Sequence, residues 1–318
     1  VIRYGLLVVF VLCAAVGGAQ GVTDMETIRR NTYAYDRDLP LNAKTKELDT
    51  NAKRTRYRLE YDSVHDQRVT ALFSLPKKGT APYPVVLIMH GAGGHKDADY
   101  VRFASETLIG QGFATLTMDA QYRGDRARPG RTGDPNPASF AMRDAWIQTV
   151  IDLRRGVDYL LSRSDIDGAK IGYLGFSMGG MFGAVLGGVE SRVGAFCLAV
   201  PGGGFVELAK NIDKYPLLKA NWHVTPTPEV LKMVEENAQI VDPIYFVGKL
   251  LPRPLLIIVA KNDEVIPAAS SQALIDAAGA DETKHVKRWN AGHALHPNVA
   301  FDIRDFFVGV YGKRPATP

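Results

Sequence analysis

Residues 170–188 read Lys-Ile-Gly-Tyr-Leu-Gly-Phe-Ser-Met-Gly-Gly-Met-Phe-Gly-Ala-Val-Leu-Gly-Gly, and they sharply restrict the folds open to the chain. An apolar run ends at Leu174, Gly175-Phe176-Ser177-Met178-Gly179 follows, and small or apolar residues continue to Gly188. This is the pattern of a strand, a tight turn and a helix, with a serine at the tip of the turn. The glycines two positions either side of the serine have a mechanical purpose. In so sharp a turn, side chains at those positions would collide with the neighbouring strand and helix. The hydroxyl is thereby held out at a helix N-terminus, where backbone N–H groups can hold an anion.

The rest of the chain repeats the strand–helix rhythm. Residues 54–61 and 68–75 alternate polar and apolar side chains, as half-exposed strands do. Pro82 and Pro84 punctuate, and Val85-Val86-Leu87-Ile88-Met89 then forms an unbroken apolar run, the mark of a strand buried on both faces. Further strands are predicted at residues 113–118, 171–174, 193–200, 255–259 and 284–289. Helices are predicted at residues 101–108, 138–161, 178–189, 268–278 and 299–310; in the second, Trp146, Val150, Leu153, Val157 and Leu160 fall at intervals of three and four. The expected fold class is α/β, with a mostly parallel eight-stranded sheet and helices on both faces. Residues 20–52, polar with weak helical periodicity, are expected to wrap the outside.

Residues 201–251 break the rhythm. Gly202-Gly203-Gly204 opens them, Pro216, Pro226, Pro228 and Pro243 divide them, and residues 228–239 read as a helix with Glu229 in its first turn. An insertion this long between two core strands points to a short helical lid, with plain surface packing as the alternative.

The first residues carry an address. Arg3 gives a positive start, residues 4–16 are apolar, and Gly17-Gly18-Ala19 offers small residues for cleavage, so residues 1–19 read as a secretory signal peptide. The apolar run is shorter than the roughly 20 residues that span a bilayer, so no stable membrane anchor is expected. Secreted or periplasmic localisation follows. Cys13 follows Leu12, where a lipidation site needs a small residue, and its loss leaves Cys197 alone in the apolar run 195–200, as a buried thiol. Net charge is +4, and loss of Arg3 lowers it to +3, which gives no reason to expect a nucleic-acid partner. No H-E-x-x-H, C-x-x-C or phosphate loop occurs, so neither a metal nor a cofactor is implied.

A serine hydroxyl is a weak nucleophile and needs a base, which in turn is held by an acid. After residues 255–259 comes Lys261-Asn262-Asp263-Glu264-Val265-Ile266-Pro267, which places Asp263 at a strand end; Glu264 is the rival and a structural turn aspartate the plainer reading. After residues 284–289 comes Gly292-His293-Ala294-Leu295-His296-Pro297. His293 has a glycine before it that lets the loop bend back. His296, the rival, sits against Pro297 at the start of the last helix. His65, His90, His95, His223 and His285 read as structural or surface residues, with His90 shaping its loop by hydrogen bonds. A tetrahedral oxyanion needs about two backbone donors. Met178 is one candidate, and His90-Gly91-Ala92-Gly93-Gly94 supplies the other through Ala92, with Gly93 as the second choice. The arginine-rich residues 122–131 read as a solvated loop with Arg123 paired to an acid such as Asp119, or as a rim that meets a carboxylate or sugar acid.

Taken together, His90-Gly91-Ala92-Gly93-Gly94, Gly175-Phe176-Ser177-Met178-Gly179-Gly180, Asn262-Asp263 with Val265-Ile266-Pro267, and Gly292-His293 resemble the α/β-hydrolase superfamily. Within it, the chain is similar to dienelactone hydrolase-like and acetyl xylan esterase-like serine carboxylesterases, over roughly residues 55–312. The resemblance implies one hydrolase domain over residues 20–318, with Ser177 as nucleophile, His293 as base, Asp263 as its orienting acid, and an acyl-enzyme intermediate. Dienelactone hydrolases proper carry a cysteine nucleophile, so the serine favours ester hydrolysis. The implied partner is a small-molecule or carbohydrate ester, such as an acetylated sugar. A peptidase or thioesterase with the same triad, and a catalytically silent binding protein, are the alternatives. The ~50 residues before the first predicted strand are too few for the propeller that prolyl-peptidase relatives carry.

Overall fold

The computed structural model describes residues 24–130, 133 and 135–312. The expected signal peptide, with Cys13 in it, lies outside the described residues. Helix α1 (Met25–Thr32) begins where the Asp24 side chain accepts from the Thr27 N–H at 2.9 Å. Strands β1 (Lys44–Thr50), β2 (Arg54–Asp62) and β3 (Arg68–Pro76) then follow, each antiparallel to the next. From β4 (Tyr83–Met89) the chain alternates through α2 (Asp99–Ile109), β5 (Ala114–Met118), α3 (Phe140–Leu161), β6 (Ile166–Phe176), α4 (Met178–Val189) and β7 (Ala195–Ala199). The insertion contributes α5 (Phe205–Lys210), α6 (Pro216–Trp222) and α7 (Pro228–Val241) before β8 (Leu255–Ala260), α8 (Ala268–Ala277), β9 (Lys284–Trp289) and α9 (Val299–Tyr311) complete the fold.

The strands form one sheet in the order β1-β2-β3-β5-β4-β6-β7-β8-β9, parallel from β5 through β9. It has nine strands where eight were expected. The additional one is β1, whose sequence KTKELDT is exposed at nearly every position. As an edge strand pairing only with β2, it buries no apolar face and therefore shows no apolar alternation.

In β4, side chains alternate between two cores. Val85, Leu87 and Met89 pack with Val150, Leu153 and Val157 of α3 and Phe182 of α4. Val86 and Ile88 face the other way, against Leu108 of α2 and Phe307 of α9. That double burial explains the unbroken apolar run. Cys197 belongs to the second core, where burial pushes its thiol pKa up. No helix among the described residues is long and apolar enough to cross a membrane.

The insertion builds a third apolar cluster. Phe205, Leu208, Leu218, Trp222 and Val234 pack with Met142 of α3 and Met181 of α4. Pro228 stands in the first turn of α7, whose N-cap is Thr227, the helix start that its sequence predicts. Asp242 ties the two ends of the insertion together: its carboxylate accepts from the N–H groups of Gly204 at 3.0 Å, Phe205 at 2.6 Å and Ile244 at 3.2 Å. Burial pushes its pKa up to about 6 against the opposing pull of those donors.

That shift has a sign. An aspartate titrates near 3.9 in an unfolded chain. Between there and about 6 the folded protein holds a proton that the unfolded chain has released. Asp242 therefore adds stability as pH falls through about 6, and that share is lost as pH rises again. Urea unfolding of wild type and Asp242→Asn from neutral to mildly acidic pH should show a steeper gain on acidification in the wild type. Parallel curves would refute this assignment.

Candidate active site

The site starts from a strained residue. Ser177 lies between β6 and α4 with φ of 53° and ψ of −117°, a conformation that L-residues avoid. Its N–H donates to the Ala199 carbonyl at 2.7 Å, and the Tyr173 hydroxyl donates to the Gly179 carbonyl at 2.6 Å. The flanking glycines permit this packing. A Cβ on Gly175 would lie 2.6 Å from the Gly180 nitrogen, and one on Gly179 would lie 2.7 Å from the His90 carbonyl oxygen.

His293 follows β9 and Asp263 follows β8, so both reach the rim formed by the C-terminal ends of the parallel strands. The fold brings all three predicted side chains together. His293 Nε2 lies 3.0 Å from Ser177 Oγ, and His293 Nδ1 lies 2.9 Å and 3.0 Å from the two Asp263 oxygens. A carboxylate only accepts, so the Nδ1 proton is committed to Asp263 and Nε2 faces the serine hydroxyl with a lone pair. Asp263 Oδ1 also accepts from the Val265 and Ile266 N–H groups at 2.9 and 2.8 Å, which fixes the carboxylate.

The rival residues have other contacts. Glu264 accepts from the His293 backbone N–H at 3.0 Å, a bond that lowers its pKa, and so holds the loop and leaves the imidazole to Asp263. His296 is exposed, accepts from the Asn298 N–H at 3.1 Å and stacks on Trp289. His90 is buried, and burial lowers its pKa. Its Nε2 accepts from the Ala120 N–H at 3.1 Å, which leaves Nδ1 to donate to the Gly91 carbonyl at 2.7 Å. This bends the loop 90–94, as the sequence reading proposed for His90.

Met178 occupies the first position of α4, so its N–H has no partner within the helix. Met178, Ala92 and Gly93 line a cavity of about 520 Å³ together with Ser177 and His293. A second cavity of about 420 Å³ also touches Ser177, His293 and Ala92, and extends past Tyr100, Phe103 and Leu295.

One expectation fails. Arg123 is not paired with Asp119, whose buried carboxylate is taken by Lys96 Nζ at 2.6 Å, the Thr70 hydroxyl at 3.0 Å and the Asp125 N–H at 3.0 Å. Instead Arg123 turns toward the larger cavity and donates to the Gly133 carbonyl at 3.1 Å; burial lowers its pKa. Sequence reasoning missed Trp146, Phe205 and Trp222 as cavity walls. Trp146 has the helical spacing of a core residue, and the other two lie in the insertion, whose packing no periodicity reveals. Among the described residues, no cluster of three or more His, Cys, Asp or Glu side chains could hold a metal ion.

Residues 69–221 match the model of the dienelactone hydrolase family. Over 279 residues it is 24% identical to the Bacillus subtilis (strain 168) protein YtaP, which is named as a hydrolase provisionally; the match spans 80% of this chain and 87% of that protein. Among solved structures, it resembles the acetyl xylan esterase from Paenibacillus sp. R4, with a TM-score of 0.75, 20% identity and coverage of 91% of this chain and 95% of that one. It also resembles acetyl xylan esterase 1 from Thermoanaerobacterium sp. JW/SL YS485, with a TM-score of 0.76, 17% identity and coverage of 91% and 94%. These likenesses show the α/β-hydrolase fold.

The packing at the turn gives a direct test. Gly179→Ala forces a methyl group against backbone carbonyls that cannot yield, and should cost about 1–3 kcal/mol of stability in urea unfolding. Gly309→Ala, in the open within α9, should be neutral or slightly stabilising. Equal effects at the two positions would rule out the steric account.

Proposed function

We propose that this chain, whose residues 69–221 match the dienelactone hydrolase family, is an exported serine carboxylesterase acting on small or carbohydrate-linked esters. The observation that carries the proposal is the continuous line of hydrogen bonds from Ser177 Oγ through His293 to Asp263, at 3.0 Å and 2.9 Å. The acetyl xylan esterases among the structural neighbours support the choice of ester over amide. The signal-peptide pattern at residues 1–19 supports export.

In this reading, Ser177 Oγ attacks the ester carbonyl carbon as His293 Nε2 takes the hydroxyl proton. The carbonyl oxygen becomes an oxyanion facing the N–H groups of Met178 and Ala92, each worth on the order of 3 kcal/mol of barrier. The intermediate collapses, the C–O bond to the alcohol breaks, and the alcohol departs with the proton from His293. Water, deprotonated by the same imidazole, then attacks the acyl-enzyme and releases the acid and the free serine. Asp263 keeps the proton on Nδ1 and stabilises the imidazolium while it exists.

Two measurements test this. Ser177→Ala should lower kcat on a short-chain nitrophenyl ester by about 10⁴- to 10⁶-fold with an unchanged circular dichroism spectrum. Undiminished turnover would remove Ser177 from the reaction. A protonated imidazole cannot accept the serine proton, so kcat/KM should fall on acidification. A flat profile would exclude a histidine base.

A further inference from the structure

Two cavities meet at Ser177 and His293, one on each face of the sheet. The larger lies on the face of α3 and α4, beneath the insertion, and the smaller on the face of α2 and α9. The chemistry distinguishes them. In the tetrahedral species the reacting carbon carries the Ser177 oxygen, the oxyanion, the acyl substituent and the leaving oxygen. The leaving oxygen must lie by His293 Nε2; His293 lines both cavities, and only the smaller also takes Ala294 and Leu295 from the histidine's loop. With the alcohol on that loop's side, the acyl substituent would fall into the cavity walled by Met178, Met181 and Phe182 of α4.

That second cavity is far larger than an acetyl group needs. About 520 Å³ admits a group on the order of ten non-hydrogen atoms, whereas acetate would place one methyl there. Its wall is a preformed row of rings in edge-to-face contact. Phe182 and Trp146 have centroids 4.8 Å apart, Trp146 and Phe205 5.6 Å, and Phe205 and Trp222 5.8 Å. Such a wall favours apolar, ring-bearing groups. A small acyl group would leave it wetted, with no apolar surface buried to drive binding.

We propose that the cavity under the insertion is an acyl chamber, and that the enzyme prefers esters of medium-chain or aryl-alkanoic acids over acetates. This rests on the serine-esterase reading. The test is kcat/KM on nitrophenyl esters sharing one leaving group, from acetate through hexanoate to phenylpropionate. Each methylene buried in such a chamber is worth up to about fourfold. Hexanoate and phenylpropionate should therefore exceed acetate by at least about tenfold. Trp222→Ala should lower phenylpropionate hydrolysis at least about tenfold more than acetate hydrolysis. Leu218→Trp, which narrows the chamber without removing a wall, should shift preference toward acetate and covers the case in which Trp222→Ala fails to fold.

An enzyme that hydrolyses acetate as well as or better than the longer esters would overturn the chamber and leave the esterase standing. So would a Trp222→Ala loss that tracks the size of the alcohol in a series of acetates. If no ester is hydrolysed in a Ser177-dependent way, the esterase reading itself falls, and the chamber with it.

Discussion

The backbone of one residue carries the architecture of the site. Ser177 is held at φ of 53°, a conformation that costs on the order of 1–3 kcal/mol and persists only where its surroundings enforce it. Here the enforcement comes from three sides. The β7 strand accepts the Ser177 N–H, Tyr173 holds the Gly179 carbonyl, and the absence of side chains at Gly175 and Gly179 lets α4 start against the end of β4. Relaxing the turn would move the hydroxyl away from His293 and the Met178 N–H away from the position an oxyanion would take. The strain, the outward serine hydroxyl and the Met178 N–H left free within the helix are thus consequences of the same local packing.

Much of this was legible in the chain because the physics is local. Strands buried on both faces announce themselves as apolar runs, and 85–89 is one. The glycine spacing about Ser177 marks the turn, and a glycine before His293 marks the returning loop. What stayed hidden depends on contacts distant in sequence. β1 was missed because an exposed edge strand needs no apolar face. Closeness along the chain points to Asp119 as the partner of Arg123. In space Lys96, 23 positions away, holds that carboxylate and frees the arginine to face the cavity. Residue type offers Glu264 only as a rival acid, although its carboxylate instead fixes the histidine loop through a backbone N–H. A hydrogen bond to backbone leaves no signature in residue type.

The cavity walls show the same limit more sharply. Trp146 has the spacing of a core residue of α3, and its ring does pack against Phe182, yet another part of it faces open space because the insertion bridges across α3 without filling the groove. Helical periodicity reports which face of a helix is covered. It does not report whether the cover is tight.

This separation has a functional consequence. Ala92, Ser177, Asp263 and His293 sit on loops that continue directly from β4, β6, β8 and β9, where the sheet leaves them little freedom. The larger cavity takes its outer wall from α5 and α6, which belong to an insertion with its own apolar cluster and its own latch at Asp242. Substitutions in that wall can reshape the cavity without disturbing the hydrogen bonds from Ser177 to Asp263, because the wall contributes none of them. A fold organised in this way can keep one reaction while its acceptance of substrates changes. The residues that form the outer wall of that cavity are accordingly those with no motif at all.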